Sequence, residues 1–443
     1  MPDFTLIGAG PVGTLMALML ANRGHQVRVF ERRPDPRIAS PERGRSINLA
    51  MAARGLAALA HAGLAARLAP LLMPMPGRML HQEDGSLQFL AYGSRQQEVV
   101  YAVSREQLNR VLIEAAAECP RIELRFDMRC LDADPATGTV RLRNERKDEE
   151  STETFAVLLG ADGANSAVRT ALAARGLLHA QEAPLDHDYK ELTIPPRLDP
   201  AALHIWPRGG YMLIALPNTD ASFTATLFLP RRGDPGFDQL TDAAAVSRLF
   251  ARQFADAAAV TPDLAQQFAA NPQSRLGTWH CQPWAVAGRV LLLGDAAHAI
   301  VPFHGQGLNC GFEDCRLLDG LLAEAVPAAG PEQSGAYAGL FARFERERRP
   351  DTEAIAAMAL ENYQEMRDTV RSPAFARRQA LAAELERRFP GRFIPRYSMV
   401  MFHPEIPYAE AQRRGLAQQR VLEALADERQ LADVEPLLQR AGL

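Results

Sequence analysis

The sequence predicts an α/β fold: a doubly wound parallel sheet, an antiparallel sheet set beside it, and a helical C-terminal region. Three observations carry this. Apolar strand-like runs at Asp3–Ile7, Phe155–Leu159 and Val290–Leu293 each end in a glycine-rich turn that leads into a helical pattern. Helical periodicity vanishes between about Leu185 and Pro230, where short strands follow one another. After Asn309 it returns almost to the end of the chain.

The first unit opens the chain. Gly8-Ala9-Gly10-Pro11-Val12-Gly13 follows the first strand and starts an apolar helix to about Asn22. Gly24 is a candidate C-cap, and Gln26 to Phe30 form the second strand, ending at Glu31. A G-x-G-x-x-G between strand and helix is the dinucleotide fingerprint in its required setting, so the sheet is Rossmann-like. Gly8 permits the tight turn, Gly10 lets a pyrophosphate approach the backbone, and Gly13 lets helix and strand pack closely. The helix N-terminus then faces the phosphates. Glu31, 18 residues past Gly13, stands where an acid accepts from an adenosine ribose. This fingerprint does not separate NAD from FAD.

Gly44 to Ala50 leads into an Ala-rich helix to about Ala62, with Gly63 as its stop. Arg45 at its head reads either as a phosphate or flavin contact or as a surface arginine. Asp84-Gly85 between apolar runs is a hairpin signal, with Arg78 and Tyr92 flanking it. Ser104 is the candidate N-cap of the next helix and Gln107 holds the capping-box position. Arg105 in its first turn opposes the helix dipole, which points to a task elsewhere, such as meeting a cofactor phosphate. Ile122–Phe126 and Thr139–Arg143 alternate like half-buried strands.

The second unit is the strand Phe155–Leu159 with Gly160-Ala161-Asp162-Gly163 and Arg169 after it. Such a turn can hold a pyrophosphate edge; a plain β-turn is the alternative. Strands at Tyr189–Ile194, Leu203–Trp206, Tyr211–Pro217 and Ser222–Phe228 then make a separate antiparallel sheet. Ala243 to Ala270 is helical.

The third unit delivers Asp295 at the end of an apolar strand, and a helix begins near Gly307 or Leu308. One acid on the turn suits a polyol hydroxyl, and the free N–H groups of the helix start suit an electron-rich ring edge, as in a flavin. Helices follow at Gly311–Ala325 and Tyr337–Arg349, and Pro350 begins a long one through Met366. Two weakly amphipathic helices, Tyr408–Asp427 and Val434–Ala441, complete the chain.

The chain has 443 residues, 47% of them hydrophobic, enough for two or three domains. A formal net charge of -4 offers nothing to nucleic acid or an anionic membrane surface. The five cysteines show neither disulfide spacing nor C-x-x-C, which fits reduced thiols in a cytoplasmic enzyme. Leu6 to Ala21 is too short and too broken by glycine to span a bilayer.

In this order, the three turns resemble those of single-component aromatic flavin hydroxylases, in which one dinucleotide fold holds FAD and no nicotinamide domain exists. Within that group the chain resembles the kynurenine 3-monooxygenase family. The likeness rests on Gly44-Arg-Ser-Ile-Asn-Leu-Ala50, Glu191-Leu-Thr-Ile-Pro-Pro196, Leu203-His-Ile-Trp-Pro-Arg208, Met212 to Asn218 and Ser222 to Phe228. Gly294 to Asp314, Asn362-Tyr-Gln-Glu-Met-Arg367 and Tyr397-Ser-Met-Val-Met-Phe402 extend it, so that it runs from Phe4 to about Arg414.

The resemblance implies FAD as cofactor, NADPH as co-substrate, and hydroxylation of L-kynurenine with O₂ through a flavin C4a-hydroperoxide. It places FAD against Gly8, Gly10, Val12, Gly13, Glu31, Arg32, Arg33 and Arg45. Further along it adds Ala50, Arg105, Cys130, Asp162, Asp295, Gly307, Leu308 and Asn309. The substrate carboxylate falls to Arg78, Tyr92, Asn362 and Tyr397, one permanent cation with neutral donors. Tyr92 to Arg105 is one residue longer than the family's spacing. Pro302, Phe303 and His304 stand beside the flavin, His304 as a pocket wall rather than a base.

The expected division is an FAD-binding domain of 1–75, 98–180 and 275–350, a substrate domain of 76–97 and 181–274, and a C-terminal helical cap of 351–443. No metal, nucleic acid or membrane anchor is expected, and the protein is expected to be a monomer or homodimer. The competing functions are hydroxylation of another aromatic acid, of salicylate or hydroxybenzoate type, and a non-hydroxylating flavoprotein reductase.

Overall fold

Phe4–Ile7, Val157–Gly160 and Val290–Leu292 are buried at every position, as strands covered on both faces must be. In the computed structural model, which describes residues 3–38, 48–93, 95, 98–324, 337–368, 372–425 and 434–443, they lie side by side in one sheet. The sheet order is Ala285–Val286, Val290–Leu292, Val157–Gly160, Phe4–Ile7, Val27–Phe30, Ile122–Arg125. All but the first run parallel. Ile7 pairs with Gly160 and with Phe30, and Gly160 with Leu292, so the three glycine-rich turns leave the same carboxyl edge. Helix Pro11–Asn22 packs between helices Arg105–Ala117 and Gly307–Glu324.

A second sheet has seven strands, in the order Gln273–Gln282, His179–Ile194, Phe223–Pro230, Met212–Pro217, Leu203–Pro207, Gly77–His81, Leu87–Ala91. Every seam is antiparallel except Leu203–Pro207 against Gly77–His81. Alternation gives the sheet two apolar faces. Leu213, Leu227 and Phe223 face Phe250 and Phe268 in the helices Ala243–Gln253 and Leu264–Ala270. Ile205, Met212 and Phe228 on the other face meet Phe303 and Tyr363.

Several expectations differ in detail. The strand expected at Tyr189 begins at His179. Its first half pairs with Gln273–Gln282 as a largely exposed ribbon, so it carries no hydrophobic alternation to read. The helix expected to restart at Pro350 is one continuous helix, Ala338–Arg367. Pro350 has no N–H for the carbonyl one turn back, on Arg346, but both residues are exposed and water can serve that oxygen. Residues 243–270 form three helices rather than one, the third piece being Ala255–Ala259. Asn48–Met51, expected to lead straight into a helix, is a strand paired with Val100–Ser104. Arg45 lies outside the described residues.

Helices Pro373–Arg388, Arg396–Phe402, Tyr408–Ala424 and Glu435–Ala441 complete the C-terminal region, with Tyr408–Ala424 against Ala338–Arg367. Among the described residues, no helix is long and apolar enough to cross a membrane.

Candidate active site

The three fingerprint glycines do three different jobs. Gly8 sits at φ +105°, and a Cβ there would lie 2.5 Å from the Ala161 carbonyl oxygen. A Cβ on Gly13 would lie 2.0 Å from the Gly8 carbonyl oxygen, so helix and turn are in contact. A Cβ on Gly10 would meet nothing within 4 Å; that space is open at the N-terminus of helix Pro11–Asn22. A pyrophosphate fits there, against N–H groups that have no partner in the helix.

Glu31 follows strand Val27–Phe30 and reaches back to the glycine turn. Its carboxylate accepts from the Ala9 N–H at 2.8 Å and from the Arg33 N–H and Nε at 2.9 and 2.8 Å. Burial alone would raise this acid, but Arg33 and the backbone donors hold it below the usual range. The Arg33 side chain is 48% exposed and that of Glu31 7%, so Arg33 is the partner placed to yield to a ribose hydroxyl. Arg32 is exposed at the same strand end. The strand Met128–Asp134 runs alongside, with the Met128 N–H on the Glu31 carbonyl. Cys130 in it is buried and pushed up to about 12 by desolvation, so it stays a thiol.

The other two turns meet the first. Val12 touches the positions a Cβ would take on Gly294, at 3.2 Å, and on Gly311, at 2.7 Å. Asp162 accepts from Ser166 Oγ at 2.6 Å and from the Ala167 N–H at 2.7 Å, bracing the start of helix Ala167–Ala174. Arg169, read from sequence as a pyrophosphate contact, turns inward instead. It donates to the Ala296 carbonyl at 2.9 Å and to that of Ala164, and stacks on Trp279 at 3.8 Å. Three carbonyl and ring partners consume its charge inside the fold, so it has little to offer a phosphate.

Asp295 is exposed on its turn, and no described residue donates to its carboxylate. That bare acid beside an open helix N-terminus fits a ribityl hydroxyl. Helix Gly307–Glu324 starts with the N–H groups of Gly307, Leu308 and Asn309 outside its own ladder. The Asn309 side chain does not reach outward. It accepts from the Ala52 N–H at 2.8 Å and donates to the Ala50 and Gly305 carbonyls, both at 2.8 Å. Ala50 is thereby fastened beside Gly305, whose Cβ would lie 2.9 Å from it. Arg105 is exposed, and its charge acts on Glu191, a buried acid that desolvation raises to about 7.

The substrate candidates gather on the far side of this turn. Arg78 has its guanidinium 4.4 Å from the Tyr397 ring centre and 5.2 Å from that of Tyr92. Tyr92 and Tyr397 stack at 5.6 Å, and His304 stacks on Tyr397 at 5.3 Å. Burial works against the Arg78 charge, but Tyr397, Tyr92 and Glu365 outweigh it and raise its pKa. Tyr92 is raised as well, chiefly by burial, so it remains a neutral donor. Asn362 donates to the Phe303 carbonyl at 2.6 Å and so holds the Pro302–His304 turn. Phe303 stacks on Tyr363 at 3.9 Å and meets Phe228 at 4.9 Å, forming an aromatic wall. Burial, with the charges of Arg78 and Arg396, pushes His304 down to about 3. It is a neutral wall residue at physiological pH.

The sequence reading missed the network beneath the turn that carries Asp295. Arg348 pairs with Glu313 and Asp314 at 2.8 Å each, and Arg54 with Glu313 at 2.7 Å. Asp314 also takes the Gly294 N–H at 3.0 Å and His298 at 2.6 Å. Tyr408 donates to Gln306 at 2.6 Å. The available signal was a set of acids and arginines inside apolar helices, where unpaired charge cannot stay. His298, Cys310 and Asp314 are grouped closely enough for a metal, yet Asp314 is already taken by Arg348, His298 and a backbone N–H.

Residues 3–359 match the family described as FAD binding domain. The chain is 46% identical over 428 residues to a kynurenine 3-monooxygenase of Stenotrophomonas maltophilia, covering 95% of this chain and 92% of that protein. It is 42% identical to one of Myxococcus xanthus, over 96% and 90% of the two chains. Among solved structures, 2-methyl-3-hydroxypyridine-5-carboxylic acid oxygenase shares the fold at TM-score 0.66 and 18% identity, over 84% of this chain and 95% of that one. PqsL of Pseudomonas aeruginosa, solved with 2-aminobenzoylacetate, does so at 0.65 and 22%, over 83% and 97%. With nearly its whole length aligned to such relatives, the chain belongs to the kynurenine 3-monooxygenase family of FAD-binding enzymes.

Proposed function

We propose that this protein is an FAD-dependent, NADPH-using monooxygenase that converts L-kynurenine to 3-hydroxy-L-kynurenine. The observation that carries the assignment is Arg78: a cation inside the fold, bordered by two phenols, with no described carboxylate within 4 Å of it. A substrate carboxylate supplies the missing anion, in a bidentate fork with phenol donors beside it. We assign that role to Arg78, Tyr92 and Tyr397. Asn362 holds the Phe303 carbonyl and thereby the turn between substrate and cofactor.

The residues present fit FAD. Gly10 leaves room for its pyrophosphate while Gly8 and Gly13 shape the turn around it; Glu31 would meet the adenosine ribose, Asp295 the ribityl chain, and Gly307 to Asn309 the ring edge. Bound FAD supplies the redox chemistry, accepting hydride from NADPH and activating O₂ for transfer of one oxygen atom to the ring. The protein orients the amino-benzoyl ring and keeps water away, with Phe228, Phe303 and Tyr363 as the dry wall. No protein base is needed, because the substrate's own amino group activates the carbon ortho to it; His304, held down to about 3, is too weak a base to be one.

We assign 1–75, 98–180 and 275–350 to FAD binding, 76–97 and 181–274 to the substrate side, and 351–443 to the cap. All five cysteines are free, which suits the reducing cytoplasm. The test is the visible spectrum and NADPH consumption of the purified protein, with product mass over a panel of aromatic acids. Kynurenine-dependent gain of one oxygen is expected; turnover of a hydroxybenzoate but not kynurenine would overturn the assignment.

A further inference from the structure

Behind the strand that carries Arg78 runs a chain of polar side chains, His81, His204 and Trp206 buried and Asp256 at its half-exposed outer end. In Gly77–His81, Leu80 packs with Ile205 and Phe303 on the site face, so Arg78 shares that face and His81 points away. His81 is 4% exposed and stacks on Trp206 at 3.9 Å. Its Nδ1 lies 2.5 Å from Asp256, and its Nε2 lies 2.8 Å from His204 Nδ1. His204 Nε2 lies 2.9 Å from the Asp199 carbonyl. Trp206 Nε1 donates to both oxygens of Asp256, at 2.8 and 3.0 Å, and Arg208 donates to the His81 carbonyl at 2.9 Å.

Donor and acceptor counting assigns the protons. The Asp199 carbonyl only accepts, so His204 carries its proton on Nε2 and offers a lone pair at Nδ1. His81 therefore donates from Nε2. Its Nδ1 faces Asp256, which the hydrogen bonds from His81 and Trp206 bring down to about 2 against the effect of burial. A carboxylate only accepts, so Nδ1 meets it as N–H, and the chain closes with one proton more than two neutral imidazoles carry. Burial, together with the neighbouring His81, holds His204 neutral.

The location matters because the hairpin bearing Arg78 joins the large sheet through a short parallel seam: Leu203 with Arg78, His204 with Met79, Ile205 with Leu80. His81 and His204 bridge that seam with side chains, and Asp256 ties it to helix Ala255–Ala259. We propose that the Asp256–His81–His204 chain is a proton-dependent fastener that positions Arg78, so that substrate carboxylate binding weakens when the chain loses its extra proton. These are positioning residues, and the proposal rests on Arg78 being the carboxylate anchor.

Asp256→Asn separates the proton from the fold. Its amide can donate to a neutral His81 while still accepting from Trp206, so the chain closes without the extra proton. In FAD-loaded enzyme, KM for kynurenine is measured across pH. Wild type is expected to show a KM rise of about tenfold on the alkaline side, the worth of one buried hydrogen bond. Asp256→Asn is expected to lack that rise, with kcat unchanged. His204→Phe, checked for bound FAD by its spectrum, is expected to hold KM high at every pH with kcat retained. Coincident wild-type and Asp256→Asn profiles, or a normal KM in His204→Phe, would overturn the proposal. ¹⁵N NMR of histidine-labelled holoenzyme reads the His81 and His204 rings directly: three protonated nitrogens between them are expected at neutral pH, and two would overturn it. That reading stands apart from Arg78→Ala, whose normal KM would sink the anchor assignment alone.

Discussion

The Arg78 guanidinium lies 4.4 Å from the centre of the Tyr397 ring, although 319 positions separate them in the chain. Tyr397 comes from the helical C-terminal region and Arg78 from the large sheet. Arg78→Ala is therefore expected to raise KM for kynurenine by about a hundredfold, from loss of a buried charge partner costing roughly 2–5 kcal/mol. FAD is expected to stay bound. Kynurenine-dependent NADPH oxidation measures this, and an unchanged KM would remove Arg78 from the site.

Gly10 and Gly13 are expected to respond differently to alanine. A Cβ on Gly13 meets the Gly8 carbonyl oxygen at 2.0 Å, so Gly13→Ala disturbs the fold and lowers the melting temperature of the apoprotein. Gly10→Ala meets nothing within 4 Å, so the apoprotein is expected to melt within about 0.5 kcal/mol of wild type. It places a methyl group where the pyrophosphate belongs, so its FAD affinity is expected to fall. Calorimetry of apoprotein with FAD titration checks both halves.

Glu191 makes stability fall with rising pH. Its pKa is raised from 4.5 to about 7 by burial, so the folded chain binds this proton more tightly than the unfolded one. The stabilisation is full below about 4.5 and is lost as pH rises through about 7. Glu191→Gln is expected to be the more stable protein above pH 7, by on the order of 3 kcal/mol relative to the acid limit. Melting curves of both proteins from pH 4 to 8 test this; parallel curves would show that Glu191 is not held up.

Tyr408 reaches from the C-terminal region to Gln306, just before helix Gly307–Glu324, to which we assign the flavin ring edge. Both are fully buried, so Tyr408→Phe leaves Gln306 Oε1 without its donor, costing about 1–3 kcal/mol. The melting temperature is expected to drop and FAD to bind less tightly, while KM for kynurenine moves little. Fluorescence titration of FAD, compared with steady-state kinetics, separates these effects.

The glycine fingerprint was legible because it is local: a turn at positive φ and a close helix contact admit only residues without a side chain. The placement of Glu31 and Asp295 was legible for the same reason, each being delivered by a strand just before it. Arg169 was misread because its partners, Ala296 and Trp279, lie more than a hundred positions away. The ribbon His179–Ala183 escaped notice because both its faces are largely wet, and strand alternation is visible only where one face is dry.

From sequence alone follow the order of the three turns, the parallel sheet they end, the family and the set of polar residues available for a substrate. These depend on contacts a few residues apart and on the periodic burial of strands and helices. Tertiary structure decided which of those residues share a pocket and which are spent inside the fold. Among the described residues Arg78 has no carboxylate within ion-pair distance, while Arg169, Arg348 and Asn309 are consumed by neighbours. Hydrogen-bond partners are assigned by proximity in space, and a buried polar group's role is set by whether that assignment leaves it anything to offer.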